Sequence, residues 1–166
     1  MVPLVTHGVD QTGAESTKKP VLAKVVDVAE IEHYTIGNIQ VTYEDGTADR
    51  WTTKRNTGDP RVAPDGTVGW TIYGAEYGDA KSYTTRPNGT LVVCRQGRVL
   101  CRVESALPHV EGWDFIDGGA KFVLKSRGRH GPAKVELFET ETGNLLAMVP
   151  AYSEDGQPKW AEPYRD

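Results

Sequence analysis

The chain has 166 residues, 38% hydrophobic and 25% charged, with a formal net charge of -4. This is the composition of one globular domain, long enough to bury a core and too hydrophobic to be a disordered chain. No run approaches the roughly 18 apolar residues of a spanning helix, and the acidic balance argues against a non-specific nucleic-acid binder.

The charge is unevenly spread. Residues 1–50 hold 4 Lys/Arg against 8 Asp/Glu, residues 51–132 hold 12 against 8, and residues 133–166 hold 3 against 7. The middle of the chain is therefore locally basic between acidic ends. The plain reading of that asymmetry is solvated surface charge. No charged start followed by an apolar stretch marks a signal peptide. The compartment stays open: extracytoplasmic if a leader has been trimmed, cytoplasmic otherwise.

In chain order, residues 1–20 show no periodicity and read as a flexible lead-in to one β-rich domain over 21–166. Val21 to Ile36 is rich in β-branched residues and reads as strand. Ile39, Val41 and Tyr43 alternate cleanly before a turn at Asp45-Gly46, and the chain returns through Arg50 and Trp51, which predicts a hairpin. Thr52 to Asp65 is polar and reads as a connection carrying Lys54, Arg55 and Arg61. Val68 to Tyr73 predicts a strand, and a polar loop through Gly78 and Lys81 follows. Leu91–Val103 and Lys134–Val149 predict two further hairpins, turning at Gln96-Gly97 and Thr142-Gly143. The Pro-rich tail from Pro150 has Trp160 as its one large apolar anchor.

Eighteen glycines and ten prolines fit this all-β reading, since both residues punctuate short strands. Cys94 and Cys101 flank the Gln96-Gly97 turn. A three-residue loop with a bulge places them on opposite faces, and a two-residue turn places them diagonally on one face. Either geometry is poor for a disulfide, so two free buried thiols are expected.

The hairpin turns at Gly46, Gly97 and Gly143 recur at spacings of 51 and 46 residues. Between them Val62–Ile72 and Phe115–Leu124 each place an Asp-Gly turn before an apolar strand. Periods of 40–50 residues with four strands each mark propeller blades. The run APDGTVGWTI and the closing LFETETGNLLAMV resemble the blades of TolB-type and Trp-Asp-repeat β-propellers, over roughly Arg61 to Val149. No Trp-Asp dipeptide stands at a blade end, because Trp113-Asp114 opens a strand. The chain encodes two and a half such units, fewer than a closed propeller needs. The expected architecture is antiparallel four-stranded meanders packed as a β-sandwich or a partial propeller-like stack, or a homo-oligomer that closes the ring.

The candidate working surface is the Gly-flanked basic loop with Lys125, Arg127, Arg129 and His130. Guanidinium groups bind carboxylate or phosphate bidentately, and glycine lets backbone N–H groups approach a ligand. Lys54, Arg55 and Arg61 join it if their segment lies at the same end of the sheets. The alternative is a solvated turn whose arginines pair with Glu136 and Glu139. Trp51, Trp70, Trp113 and Trp160 read as core; a surface cluster with Tyr73 and Tyr77 would instead form a carbohydrate or peptide platform. His7, His33, His109 and His130 lack ligand spacing, so no metal is expected. No nucleophile elbow, P-loop or dinucleotide fingerprint occurs, so no cofactor and no catalytic residue is assigned.

The expected function is a non-enzymatic binding module whose basic loop face recognises an acidic protein or a small anionic ligand, with no nucleic acid and no membrane span. The alternatives are an extracytoplasmic enzyme inhibitor inserting the Lys125–His130 loop, and a hydrolase of unidentified mechanism.

Overall fold

The computed structural model describes residues 18–31, 34–73 and 89–166, with the backbone alone for Ile31, Tyr34 and Lys54. Most of the lead-in, the loop through Gly78 and Lys81, and His7, His33 and Tyr77 lie outside the described residues. The rest is all-β. Ten strands are described: β1 (Pro20–Ile31), β2 (Tyr34–Tyr43), β3 (Ala48–Val62), β4 (Val68–Tyr73), β5 (Thr90–Arg95), β6 (Arg98–Glu104), β7 (His109–Ile116), β8 (Lys121–Arg127), β9 (Lys134–Glu139) and β10 (Leu145–Pro150). They form two antiparallel sheets, one of six strands in the order β1-β2-β3-β4-β5-β6 and one of four in the order β10-β9-β8-β7.

The polar stretch from Thr52, which reads as a connection, lies mostly within the 15-residue β3. A straight strand of that length would span roughly 50 Å, but β3 bends. Its first half pairs with β2 and its second half with β4. Trp51 lies 5.6 Å from Trp70 between ring centroids. Along a straight β3 those two rings would stand more than ~20 Å apart. The first half of β3, with β2 and β1, therefore folds over β4 and β5. Thr53 and Thr57 hold the corner: their hydroxyls are 2.5 Å apart, and Thr53 Oγ1 donates to the Gly37 carbonyl at 2.6 Å. Polar residues occur in this strand because the corner hydroxyls satisfy backbone that a bend leaves unpaired.

Three apolar layers result. Ile39, Val41 and Tyr43 of β2 bury against Val68, Trp70 and Ile72 of β4 and Val92 and Cys94 of β5. On the opposite face of the same strands, Leu91, Val93, Cys101 and Val103 meet Trp113, Phe122, Leu124 and Phe138 of the second sheet. Here the Phe122 and Phe138 rings stack at 5.1 Å. The outer face of the second sheet, with Val123, Val135 and Leu137, is covered by the tail through Ala151, Trp160, Ala161 and Tyr164. The second half of β3 with β4, β5 and β6 is one four-stranded meander, and β7 to β10 is another; the two pack face to face as a sandwich.

The turns expected at Gly46, Gly97 and Gly143 are all present, and each glycine has positive φ, a conformation that glycine adopts freely because it carries no Cβ to clash. The β5–β6 connection is the two-residue turn, Arg95 pairing with Arg98. A register shift at Val93/Cys94 nevertheless sends the cysteines to opposite faces, Cys94 into the first layer and Cys101 into the second. Both are free and buried. Burial pushes the Cys94 thiol up to about 12; burial, then the nearby Glu141 carboxylate, pushes Cys101 up to about 11.

Candidate functional site

Strand β8 carries the basic segment into the loop. Phe122 and Leu124 face the inter-sheet core, so alternation turns Val123, Lys125 and Arg127 to the outer face. Cross-strand register sets His109 opposite Arg127 and Gly112 opposite Lys125, and a shift between Val110 and Gly112 leaves Glu111 beside both cations. The tail arrives on the same face. The Asp166 N–H donates to the Ala151 carbonyl at 3.2 Å. Its carboxylate accepts from Lys125 Nζ and from Arg127 Nη2, each at 2.6 Å.

Two cations and two carboxylates thus form a closed set. Lys125 Nζ also stands 3.5 Å from Glu111, and Arg127 Nε donates to Glu111 Oε1. Hydrogen bonds from Lys125, then Arg127, hold Asp166 below the usual carboxylate range. Glu111, then Asp166, holds the Arg127 guanidinium above its ordinary value. The carboxylates that neutralise these cations are therefore not Glu136 and Glu139. Glu136 is buried on the inter-sheet side and accepts the Ala106 N–H at 2.9 Å; burial raises its carboxyl, against the opposing pull of that bond. Glu139 accepts from the Thr142 hydroxyl at 2.5 Å.

Beyond Arg127 the loop leaves the sheet. Gly128 packs near Leu107, whose N–H donates to Ser126 Oγ at 3.2 Å. Gly131 turns the chain with a φ of 92°. Between these glycines Arg129 and His130 are exposed, and neither makes a hydrogen bond or ion pair among the described residues. The two ends of the loop are fixed by strands β8 and β9 and by the paired Lys125 and Arg127.

The remaining basic residues of the set lie along β3. The strand reaches the middle layer at the loop end: Asn56 pairs with Tyr73, and the Tyr73 hydroxyl donates to the Val110 carbonyl at 3.2 Å. Arg55 stands at the corner opposite Gly37, and the Lys54 side chain is outside the described residues. Arg61 lies further along. Its guanidinium sits 5.9 Å from the Trp113 ring centroid and bridges Asp59 at 3.3 Å and Asp114 at 3.5 Å. Trp113 Nε1 donates to the Asp59 carbonyl at 2.9 Å. Arg61 therefore ties β3 to the second sheet. Of the aromatic residues, Trp70 and Trp113 are fully buried and Trp51 and Trp160 partly so; they do not form an exposed platform.

Sequence reasoning missed Glu111 and Asp166. Glu111 follows once the β7–β8 register is fixed, as a cross-strand acid beside two bases. Nothing local signals Asp166, which is 39 residues from Arg127. Among the described residues no group of three or more His, Cys, Asp or Glu side chains is placed to hold a metal ion, and no helix is long and apolar enough to cross a membrane. No family model matches the chain, and no curated protein sequence matches it.

Proposed function

We propose that the protein is a non-enzymatic binding module that engages an acidic protein or a small anionic ligand through the loop between β8 and β9. The observation that supports this most is the contrast within the basic cluster. Lys125 and Arg127 are neutralised by Glu111 and Asp166, whereas Arg129 and His130 stand exposed and unpaired two and three residues on. The paired residues act as supports and the unpaired ones as contacts. A loop anchored on rigid strands loses little entropy when it binds, which favours recognition by short polar elements. Arg55 and Arg61 belong to the fold's corner and inter-sheet contact in this reading. The order of the two meanders also supports a likeness to propeller blades in local design.

The experiment is titration of the full chain with a capped oligo-aspartate peptide and with inorganic phosphate, at two salt concentrations. Arg129→Ala/His130→Ala should leave the thermal melt unchanged, as for exposed positions outside any network. It should weaken binding at least tenfold and flatten its salt dependence. A double variant that binds both probes as tightly as the parent refutes the reading.

A further inference from the structure

At the opposite end of β8 and β9 from the basic loop, four turns converge on a pocket of about 360 Å³. Asp65, Arg95, Asp117, Glu139, Thr140 and Glu141 line it. The turns are in close contact: a Cβ on Gly119 would stand 2.7 Å from Asp65 Oδ1 and 2.9 Å from the Ala63 Cβ. Arg95 is consumed by its neighbours, donating to Thr67 Oγ1 at 2.9 Å, Glu141 at 2.7 Å and Asp65 at 3.2 Å. Lys121 pairs with Asp117 at 2.8 Å. Four carboxylates thus face two cations, and the pocket keeps an excess of negative charge.

A second, independent observation points to a ligand. Thr140 is fully buried, and its Oγ1 has no hydrogen-bond partner. The rest of the residue is satisfied: its N–H donates to the Ala120 carbonyl at 3.0 Å, and its carbonyl accepts from Cys101 Sγ at 3.5 Å. Thr140 lines the pocket, and alternation continued from Phe138 turns its side chain to the inter-sheet side at that end of the sheets. A buried hydroxyl without a partner is costly and rare. In the lining of an acidic pocket it is an unpartnered acceptor beside the surplus carboxylates.

We propose that this pocket binds an organic cation, an alkylammonium or guanidinium group whose N–H donors satisfy Thr140 Oγ1 and the carboxylates of Glu139 and Glu141. A compact metal ion fits less well, since no three His, Cys, Asp or Glu side chains among the described residues are gathered closely enough to hold one. A cation carrying several N–H donors on a carbon stem reaches separated acceptors instead. The group comes from a free amine or from a Lys or Arg side chain of a partner, and both present the same chemistry to the pocket.

The test is calorimetric titration of the full chain with n-butylammonium and n-butylguanidinium, and with capped glycine-flanked peptides holding one Lys or one Arg. N-butylacetamide serves as the neutral control and calcium chloride as the metal control. Saturable binding of the charged probes, absent for the neutral one, is expected, with amide shifts centred on Gly118, Thr140 and Glu141. A tenfold preference for the peptides assigns the source to a partner side chain; the reverse preference assigns a free amine. Thr140→Val should melt at or above the parent temperature and bind at least fivefold more weakly. Glu139→Gln/Glu141→Gln should bind at least tenfold more weakly. Equal binding of the neutral probe, no binding of any charged probe, unchanged affinity in both variants, or displacement of the cation by calcium would each overturn the proposal.

Discussion

Gly69 gives a direct handle on the packing of the two sheets. It lies in β4 opposite Val93, on the face turned to the second sheet. A Cβ there would stand 2.5 Å from Trp113 Cη2, 3.1 Å from Cζ3 and 3.3 Å from Phe115 Cζ. The indole has nowhere to retreat. It is 1% exposed, set edge-on to Phe115 at 5.0 Å, and fixed by its bond to the Asp59 carbonyl. Gly69→Ala must therefore move the sheets apart, an overpacking cost of about 2–3 kcal/mol. Alanine returns roughly 0.5–1 kcal/mol through lower chain entropy in the unfolded state. The net loss is about 1–2.5 kcal/mol, or a fall in melting temperature of about 2–10 °C at this chain length. Urea denaturation of the four members of a cycle with Trp113→Phe measures the contact itself. Phenylalanine removes the atoms that clash, so the double variant should be about 1 kcal/mol or more better than the sum of the singles. Additive losses, or a neutral Gly69→Ala, would refute the face-to-face packing of the meanders at this point.

Two further outcomes follow from buried titratable groups. Cys94 and Cys101 should resist alkylation in the native state at pH 8, and both should react after unfolding without reductant; finding no reactive thiol would mean that they bond to each other. Because folding raises both thiols to about 12 and about 11, the unfolded chain ionises first, and stability should decline as pH rises above the ordinary thiol value. Glu136→Gln should keep the acceptor for the Ala106 N–H while removing a buried charge. Its folded carboxyl is raised, so the parent loses stability as pH rises from the ordinary carboxylate range to the raised value. The amide escapes that loss, and the variant should be equal or more stable at pH 7 in a denaturant titration. A destabilisation at pH 7 that is absent at pH 4 would show that the ionised carboxylate is the stabilising form.

The parts of the fold legible in the sequence are those set by local chemistry. Asp45-Gly46, Gln96-Gly97 and Thr142-Gly143 are turns because glycine tolerates positive φ, and each turn then fixes which flanking residues alternate inward. The polar Asn56 to Arg61 segment was opaque because alternation fails where β3 bends and shifts register, between Gly58 and Arg61 as well as at Gly37. The cysteine faces were opaque for the same reason: one extra residue at Val93/Cys94 reverses the side that turn geometry alone assigns. In the candidate site, the glycines and the density of Lys and Arg marked the loop. Which cations are free depends on Glu111 and Asp166, reached through a bulged register and a long-range tail contact. Sequence spacing carries neither.

The tail makes the basic loop depend on distant packing. Without the segment through Trp160 and Tyr164, one face of the second sheet would expose Val123, Val135 and Leu137, which are buried beneath it. Burying them is the reason for the tail to lie down, since apolar area removed from water is the dominant favourable term. Its path then delivers Asp166 to the two cations next to the loop. The energy of docking comes from the apolar layer, while the ion pairs, partly exposed, contribute mainly position. The same docking neutralises Lys125 and Arg127, and so leaves Arg129 as the unpaired guanidinium of the segment, with the exposed His130 imidazole beside it. A hydrophobic cover on one side of the sheet thereby determines which part of the basic segment is left without a carboxylate partner among the described residues.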